Sequence, residues 1–217
     1  MLLQWCLKGM AERDDFNDRV AAEVLTKTGL RSAWMRQNRG SDLETGVPDS
    51  FAVLSQAALD SHVNNFGVAQ FATPYISLTA GCFTIDPVTG TSTPHSAREI
   101  AIGFATGAVW GNRPRPGYLF HLWVLVTPKP GPELPGFGEE IRDLNQFAQY
   151  WLYHAEGEIA GKLIVPHRQI RSVEKVDKDG TSLPIDWTKL GLNKSGNEGE
   201  NKDFVQPERI HNLRDLV

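Results

Sequence analysis

The sequence predicts a mixed α+β domain, and three observations carry that expectation. Residues 118–126 (Tyr-Leu-Phe-His-Leu-Trp-Val-Leu-Val) are β-branched or aromatic almost throughout and are bounded by Gly117 and Pro128. A strand apolar on nearly every position is buried on both faces. Segments with helical apolar spacing surround it, over 16–28, 53–63, 94–106 and 139–153. No GxGxxG follows a strand and opens a helix, which excludes the doubly wound dinucleotide fold.

Taken in order, residues 1–28 read as helical and mixed in charge. Asp14 or Asp15 caps a segment over 16–28, whose stripe of Val20, Ala21, Val24 and Leu25 ends at Gly29. Residues 31–37 read as a short strand and 40–48 as a turn-rich connection. Leu54, Ala57, Ala58 and Leu59 give 53–63 a helical spacing, and 67–76 shifts to strand composition through Val68, Phe71, Tyr75 and Ile76. Residues 86–95 form a Pro/Thr/Gly loop, and 94–106 is a helix entered through Pro94. After the buried strand come a Pro/Gly loop (128–138), an amphipathic helix (139–153) and a strand-rich stretch (158–177). The Asn, Lys, Gly and Glu content of 192–203 suggests a mobile linker, and 207–217 a short docked helix. The chain shows no internal repeat.

Composition bounds the chemistry. The 217 residues suffice for one well-buried domain with decorations, and 41% hydrophobic with 22% charged residues is ordinary for a soluble globule. A net charge of −4 argues against a phosphate-dominated grip on nucleic acid. Cys6 and Cys82 are the only cysteines, and the six His are scattered, so neither a disulfide framework nor a metal-ligand cluster is expected. The first residues lack a basic n-region, and no window has the apolar length of a membrane helix. The expected location is the cytoplasm, or outside it by an export route that needs no N-terminal signal peptide.

The residues richest in chemistry are Glu156-Gly157-Glu158, at the mouth of the apolar stretch Leu163-Ile164-Val165. On an extended chain both carboxylates point to one side. Such a pair costs solvation and repulsion unless it faces a cationic partner or a cationic transition state, such as a sugar oxocarbenium ion. On these residues alone, a solvated strand end is the commoner explanation.

Four segments in one order resemble the catalytic domain of ADP-ribosyltransferase toxins of the cholera and pertussis type. Trp34-Met35-Arg36-Gln37-Asn38-Arg39 is similar to the family's Arg-bearing first strand. Leu59-Asp60-Ser61-His62 is similar to its His-bearing helix, and Tyr75-Ile76-Ser77-Leu78-Thr79 to its aromatic-apolar-Ser-Thr-Ser strand. Glu156-Gly157-Glu158 followed by Ile164-Val165-Pro166 and Ile170 matches its Glu-x-Glu element. Two departures stand out: Leu78 and Thr79 replace the last two residues of the Ser-Thr-Ser element. Lys8 and Arg13 compete with Arg36 for the leading cation. Arg36 is preferred because it ends a plausible strand at the expected distance before His62, and Lys8 and Arg13 are assigned to an added segment outside the cleft.

The resemblance implies two packed, mostly antiparallel sheets that form an NAD cleft flanked by helices. It divides the chain into a helical extension (1–30), a catalytic domain (31–190) and a flexible linker with a short terminal segment (191–217). It implies a mono-ADP-ribosyltransferase acting as a toxin or effector, with NAD as substrate and no metal. The acceptor is a macromolecule, with protein arginine favoured over nucleic acid because Glu stands at position 156. An antitoxin or carrier protein is a further partner that the resemblance allows, and no membrane partner is expected. Arg36 clamps the pyrophosphate, His62 bonds the adenosine ribose or a phosphate, and Ser77 and Thr79 line the NAD site. Ser77 holds Glu158, Glu158 stabilises the oxocarbenium ion, and Glu156 serves the acceptor as general base. Trp151 and Tyr153 lie where the family recognises its target, although anchoring of the 139–153 helix is the better reading for Trp151. An NAD glycohydrolase and a catalytically silent binding module are the competing readings.

Overall fold

The computed structural model describes residues 2–38, 53–86, 88–111, 113–126 and 136–207. In chain order the elements begin with β1 (Leu2–Ala11), α1 (Asp18–Glu23), a π turn (Val24–Thr28), β2 (Leu30–Arg31) and α2 (Ala33–Asn38). There follow α3 (Gln56–Asn64), α4 (Phe66–Ala69), β3 (Tyr75–Thr79), β4 (Cys82–Ile85), β5 (Ser92–His95), α5 (Ala97–Thr106) and β6 (Gly117–Val126). The remainder is β7 (Phe137–Glu139), α6 (Leu144–Phe147), a 3-10 segment (Ala148–Glu156), β8 (Glu158–Lys162), β9 (Ile164–Val165) and β10 (Ile170–Val176). Two further small strands, β11 (Ser182–Leu183) and β12 (Asn193–Ser195), precede β13 (Glu198–Glu200).

The fold is mixed α+β. Its main sheet runs β1-β3-β8-β7-β6-β10-β13-β12, with β1 also paired along β6, and every pairing but β6–β7 is antiparallel. That extra pairing folds the strand network back on itself. The β3–β8 arm then faces β6 and β10 across one core of Ile76, Leu78, Ile159, Phe120, Leu122 and Val173. Two layers of largely antiparallel strands with flanking helices are what the sequence implied.

Strand β6 is buried on both faces, as its composition requires. Tyr118, Phe120, Leu122 and Val124 enter the inter-layer core, whereas Leu119 meets Ala101 and Ala105 of α5. The helix lies directly on the sheet because Gly9 and Gly117 offer no side chain. A Cβ on Gly9 would come within 2.1 Å of the Ala101 carbonyl oxygen, and one on Gly117 within 2.2 Å of that of Ala105.

Several local expectations are overturned. Residues 1–28 are not a helical extension: β1 is a central strand, Leu2 to Ala11 paired with Val126 to Gly117. The helix after it is capped by Asn17, whose side chain accepts from the Arg19 and Val20 amides, not by Asp14 or Asp15. Its stripe does reach the core, and Gly29 ends it at φ 64°. Residues 31–37 give a two-residue strand and then a helix, with Ser32 Oγ accepting from the Met35 amide. Most of 67–76 is a short helix and turn, and strand begins only at Tyr75.

Helix α5 starts at Ser96, through a capping box with Glu99, and Pro94 instead sits in the β4–β5 hairpin opposite Phe83. The amphipathic helix expected over 139–153 breaks into β7, the Asp143-capped α6 and a kinked 3-10 segment. The expected linker over 192–203 is a β12–β13 hairpin joined to β10 and closed over Trp187, whose indole donates to the Asn197 carbonyl at 2.8 Å. Gly196 and Asn197 form its turn, and Asn201 donates to the His167 and Ile170 carbonyls, so these residues are not signs of a solvated tether. The connection expected over 40–48, Arg39 of the first-strand motif, most of the 128–138 loop and nearly all of the 207–217 segment lie outside the described residues.

Candidate active site

The site begins with the ladder between β3 and β8. Thr79 stands opposite Glu158, and Ser77 opposite Ala160, so Ser77 and Thr79 follow the period-two alternation along one strand beside the carboxylate. Glu158 opens β8 and is 6% exposed. Glu156 is not on that strand. Gly157 between them is left-handed at φ 57°, so Glu156 closes the 3-10 segment while Glu158 starts the strand. No side chain fits at 157, since a Cβ would lie 2.7 Å from Gly81 backbone atoms. The expected extended Glu-x-Glu geometry is thus replaced by a turn, yet both carboxylates line the same cleft.

Backbone bonds fix this turn from three sides. Thr79 Oγ1 donates to the Glu156 carbonyl at 2.9 Å, the Ala80 amide to that of Gly157 at 3.0 Å, and the Arg142 amide to that of Glu158 at 3.2 Å. The Arg142 guanidinium reaches on to the Gly81 carbonyl at 2.7 Å and the Gln4 side chain at 2.7 Å, tying β1 to the turn. Burial and the neighbouring Glu158 charge push the Glu156 carboxyl up to about 7.

His62, on α3, is 1% exposed and is bonded within the protein. Its Nε2 lies 3.1 Å from Glu158 Oε1 and 3.2 Å from Ser77 Oγ, and its Nδ1 lies 2.9 Å from Thr73 Oγ1. Ser77 therefore reaches Glu158 through His62 rather than by the direct bond the sequence suggested. Thr73 joins this cluster without any signal in the sequence marking it. Helix α3 is held against the 3-10 segment by Tyr150, whose hydroxyl accepts from Gln56 at 2.8 Å and donates to Asp60. Tyr150 and its stacked neighbour Phe147 do the anchoring that was assigned to Trp151, which is 65% exposed.

Among the described residues, the cation lining the cleft with the carboxylates is Lys8 of β1. It lines the cleft with Leu7, Ser77, Thr79, Glu156 and Glu158. Burial depresses its ammonium to about 8 against the opposing pull of Glu158, and Arg36 depresses it further. Arg36 is an exposed residue of α2, not the end of a strand, and its Nη1 donates to the Arg31 carbonyl at 2.8 Å. It is close enough to repel Lys8 but is absent from the cleft walls. Arg13 pairs with Asp15 at 3.4 Å in an exposed turn.

The wider part of the cleft, about 230 Å³, is walled by His62, Phe66, Phe104, Tyr153, Glu156 and Glu158. Aromatic walls with a few convergent polar groups suit a flat, polar ligand. Trp151 and Leu152 of the 3-10 segment and Phe83 of the β4–β5 hairpin are all well exposed. His154 links the two pieces, its ring nitrogens lying 3.0 Å from the Arg142 carbonyl oxygen and 2.9 Å from that of Phe83. Among the described residues, no group of His, Cys, Asp and Glu assembles a metal site, and no helix is long and apolar enough to cross a membrane.

No protein-family model matches the chain, and no curated protein matches it. Among solved structures it is similar to a mutant of heat-labile enterotoxin, at 12% identity over 92% of this chain and 75% of that one, with a TM-score of 0.44. It is similar to EcPltA at 10% identity, 94% and 88% coverage and a TM-score of 0.43. It is also similar to a mutant of the catalytic domain of the mosquitocidal toxin from Bacillus sphaericus, at 14% identity and a TM-score of 0.41, spanning 99% of this chain and 59% of that one.

Proposed function

We propose that this chain is a mono-ADP-ribosyltransferase that cleaves NAD and transfers ADP-ribose to a macromolecular acceptor, acting as a toxin or effector. One observation carries the reading. A buried carboxylate, Glu158, is held by His62 beside one cation, Lys8, while a second carboxylate titrating near neutrality, Glu156, shares its cleft. Cleavage of the nicotinamide–ribose bond sends the bonding electron pair out with nicotinamide and leaves positive charge on the anomeric carbon. A fixed carboxylate opposite that carbon is worth most in the transition state. Glu158 takes this role.

The residues present fit NAD. Lys8 supplies a positive charge for the pyrophosphate in place of Arg36, and Arg36 contributes only a longer-range field. Phe66, Phe104 and Tyr153 offer faces for planar rings, Ser77 a hydroxyl for the ribose, and Thr79 the bond that shapes the turn. Glu156, as carboxylate, accepts the proton that the acceptor nucleophile loses on attacking the anomeric carbon. A guanidinium suits it best, because a carboxylate both binds that group bidentately and takes its proton. This favours protein arginine. Exposed Trp151 and Leu152, beside the cleft-lining Tyr153 in the chain, are the side chains best placed to meet the acceptor.

The test incubates the protein with NAD labelled in its adenylate moiety and whole-cell lysate, and treats parallel samples with protease or nuclease. Label lost to protease, and released by chemistry that splits arginine-linked ADP-ribose, supports the proposal. Label lost to nuclease moves the acceptor to nucleic acid. NAD consumption without label transfer makes the protein a glycohydrolase, and an absence of both overturns the reading.

A further inference from the structure

We propose that Thr73 is a positioning residue that fixes the tautomer of His62, so that the ring donates from Nε2 to Glu158 and holds that carboxylate in the cleft. The functional part of this inference rests on the role of Glu158 proposed above. Three groups are involved, all nearly inaccessible: Thr73 at 7%, His62 at 1% and Glu158 at 6% exposure.

The protons available to the cluster decide the tautomer. Thr73 Oγ1 already accepts from the Tyr75 amide at 3.1 Å. Among the described residues, its own hydroxyl hydrogen has one acceptor within reach, His62 Nδ1 at 2.9 Å. If Thr73 donates there, Nδ1 carries the lone pair and the ring proton sits on Nε2. Nε2–H then meets two oxygens, Glu158 Oε1 at 3.1 Å and Ser77 Oγ at 3.2 Å. Both ring nitrogens of His62 and the Thr73 hydroxyl are then satisfied.

The alternatives each fail at a buried atom. With the proton on Nδ1, the Nε2 lone pair faces a carboxylate oxygen, and the Thr73 hydroxyl hydrogen is stranded. With both nitrogens protonated, the Thr73 hydrogen is stranded again. An unmade bond of this kind costs more than the bond itself contributes. The aromatic rings of Phe66 and Tyr75, with centroids 5.5 and 5.6 Å from the imidazole, leave little room for water to substitute.

A consequence follows for Ser77. Because Nε2–H is the donor, Ser77 Oγ accepts, and its own hydroxyl hydrogen is left to point to a ligand oxygen in the cleft. Thr73 thus acts on the reacting centre only through His62, as an outer partner orients an inner one.

The experiment records ring 15N–1H correlation spectra of the full chain with labelled histidine, His62 being assigned by its loss in His62→Gln. The expected parent spectrum at neutral pH shows His62 as the neutral Nε2–H form. Thr73→Ser keeps that form, and Thr73→Val replaces it with a tautomer mixture or a charged ring. In NAD consumption, kcat of Thr73→Val falls on the order of tenfold while KM changes less than about twofold, and Thr73→Ser recovers both. A parent ring protonated on Nδ1, alone or with Nε2, overturns the inference, as does an unchanged His62 spectrum in Thr73→Val. Should Thr73→Val not fold, the parent and Thr73→Ser spectra still decide. If the chain consumes no NAD, the proposed function fails while the spectra still decide the tautomer.

Discussion

Glu156 and Glu158 are the same residue type two positions apart, yet the fold treats them in opposite ways. Glu158 begins a strand, is buried, and meets His62 across a fixed distance. Glu156 ends a 3-10 segment behind a left-handed glycine and is pushed up to about 7 by burial and by Glu158 itself. The two carboxylates of one cleft therefore differ in setting: one is held by His62, and the other is pushed up to exchange its proton near neutral pH. Environment separates the two roles, not residue type.

The strongest way to break this comparison is to remove the carboxylate that His62 holds. Glu158→Gln retains shape and loses the charge opposite the cationic carbon, so NAD turnover is expected to fall by about 100- to 1,000-fold with an unchanged circular dichroism spectrum. Turnover within a few-fold of the parent would sink the assignment.

Removing the exchanging charge is expected to act on one activity alone. In Glu156→Ala, transfer to the acceptor falls by about 100-fold while slow NAD hydrolysis survives, because the base serves only the acceptor. In the parent, transfer is expected to rise with pH through about 7 as Glu156 loses its proton, with hydrolysis nearly flat over the same range. Equal loss of both activities in Glu156→Ala would end the division of roles.

The cation opposite the pair gives a smaller effect. Lys8→Ala is expected to raise the Kd for NAD about tenfold in calorimetric titration, the worth of one charge-assisted contact, whereas Arg36→Ala changes it less than about threefold. The reverse order would restore Arg36 as the clamp and remove β1 from the site.

The smallest effect concerns stability. The folded state holds the Glu156 proton to about 7, against an ordinary carboxyl value of 4.5. Stability therefore falls as pH rises through that window, and the loss is complete above it. Glu156→Gln is expected to exceed the parent in unfolding free energy from denaturant titration at pH 8, by about 1 kcal/mol once solvent screening of a partly exposed group is allowed for, and to match it at pH 4. An identical difference at both pH values would show that the carboxyl is not perturbed by the fold.

How much of the site was legible differs sharply along the chain. The buried strand β6 announces itself through local pattern, because apolar runs record which faces of a strand are covered, whereas Ser77, Thr79 and Glu158 stand out only through the resemblance of their motifs. The leading cation did not. Lys8 lies in a short apolar run that reads equally as helix or strand, and its role comes from Leu7 pairing with Thr79 on one edge and His121 on the other. Arg36 had the more persuasive local context, and the Ser32 hydroxyl turned that context into a helix. Trp151 looked like an anchor by residue type, but the kink at Tyr150 turned the neighbouring ring inward instead.

The sequence by itself determined the α+β class, the covered faces of the central strands and the presence of a carboxylate pair, since each is a property of near neighbours. Only the tertiary structure decided that Lys8 rather than Arg36 faces that pair. It likewise decided that Ser77 meets Glu158 through His62, that Thr73 belongs to the cluster and that burial pushes Glu156 up to about 7. Those outcomes depend on strand partners and on the desolvation they impose, and both arise from residues far apart in the chain whose pairing no local period records.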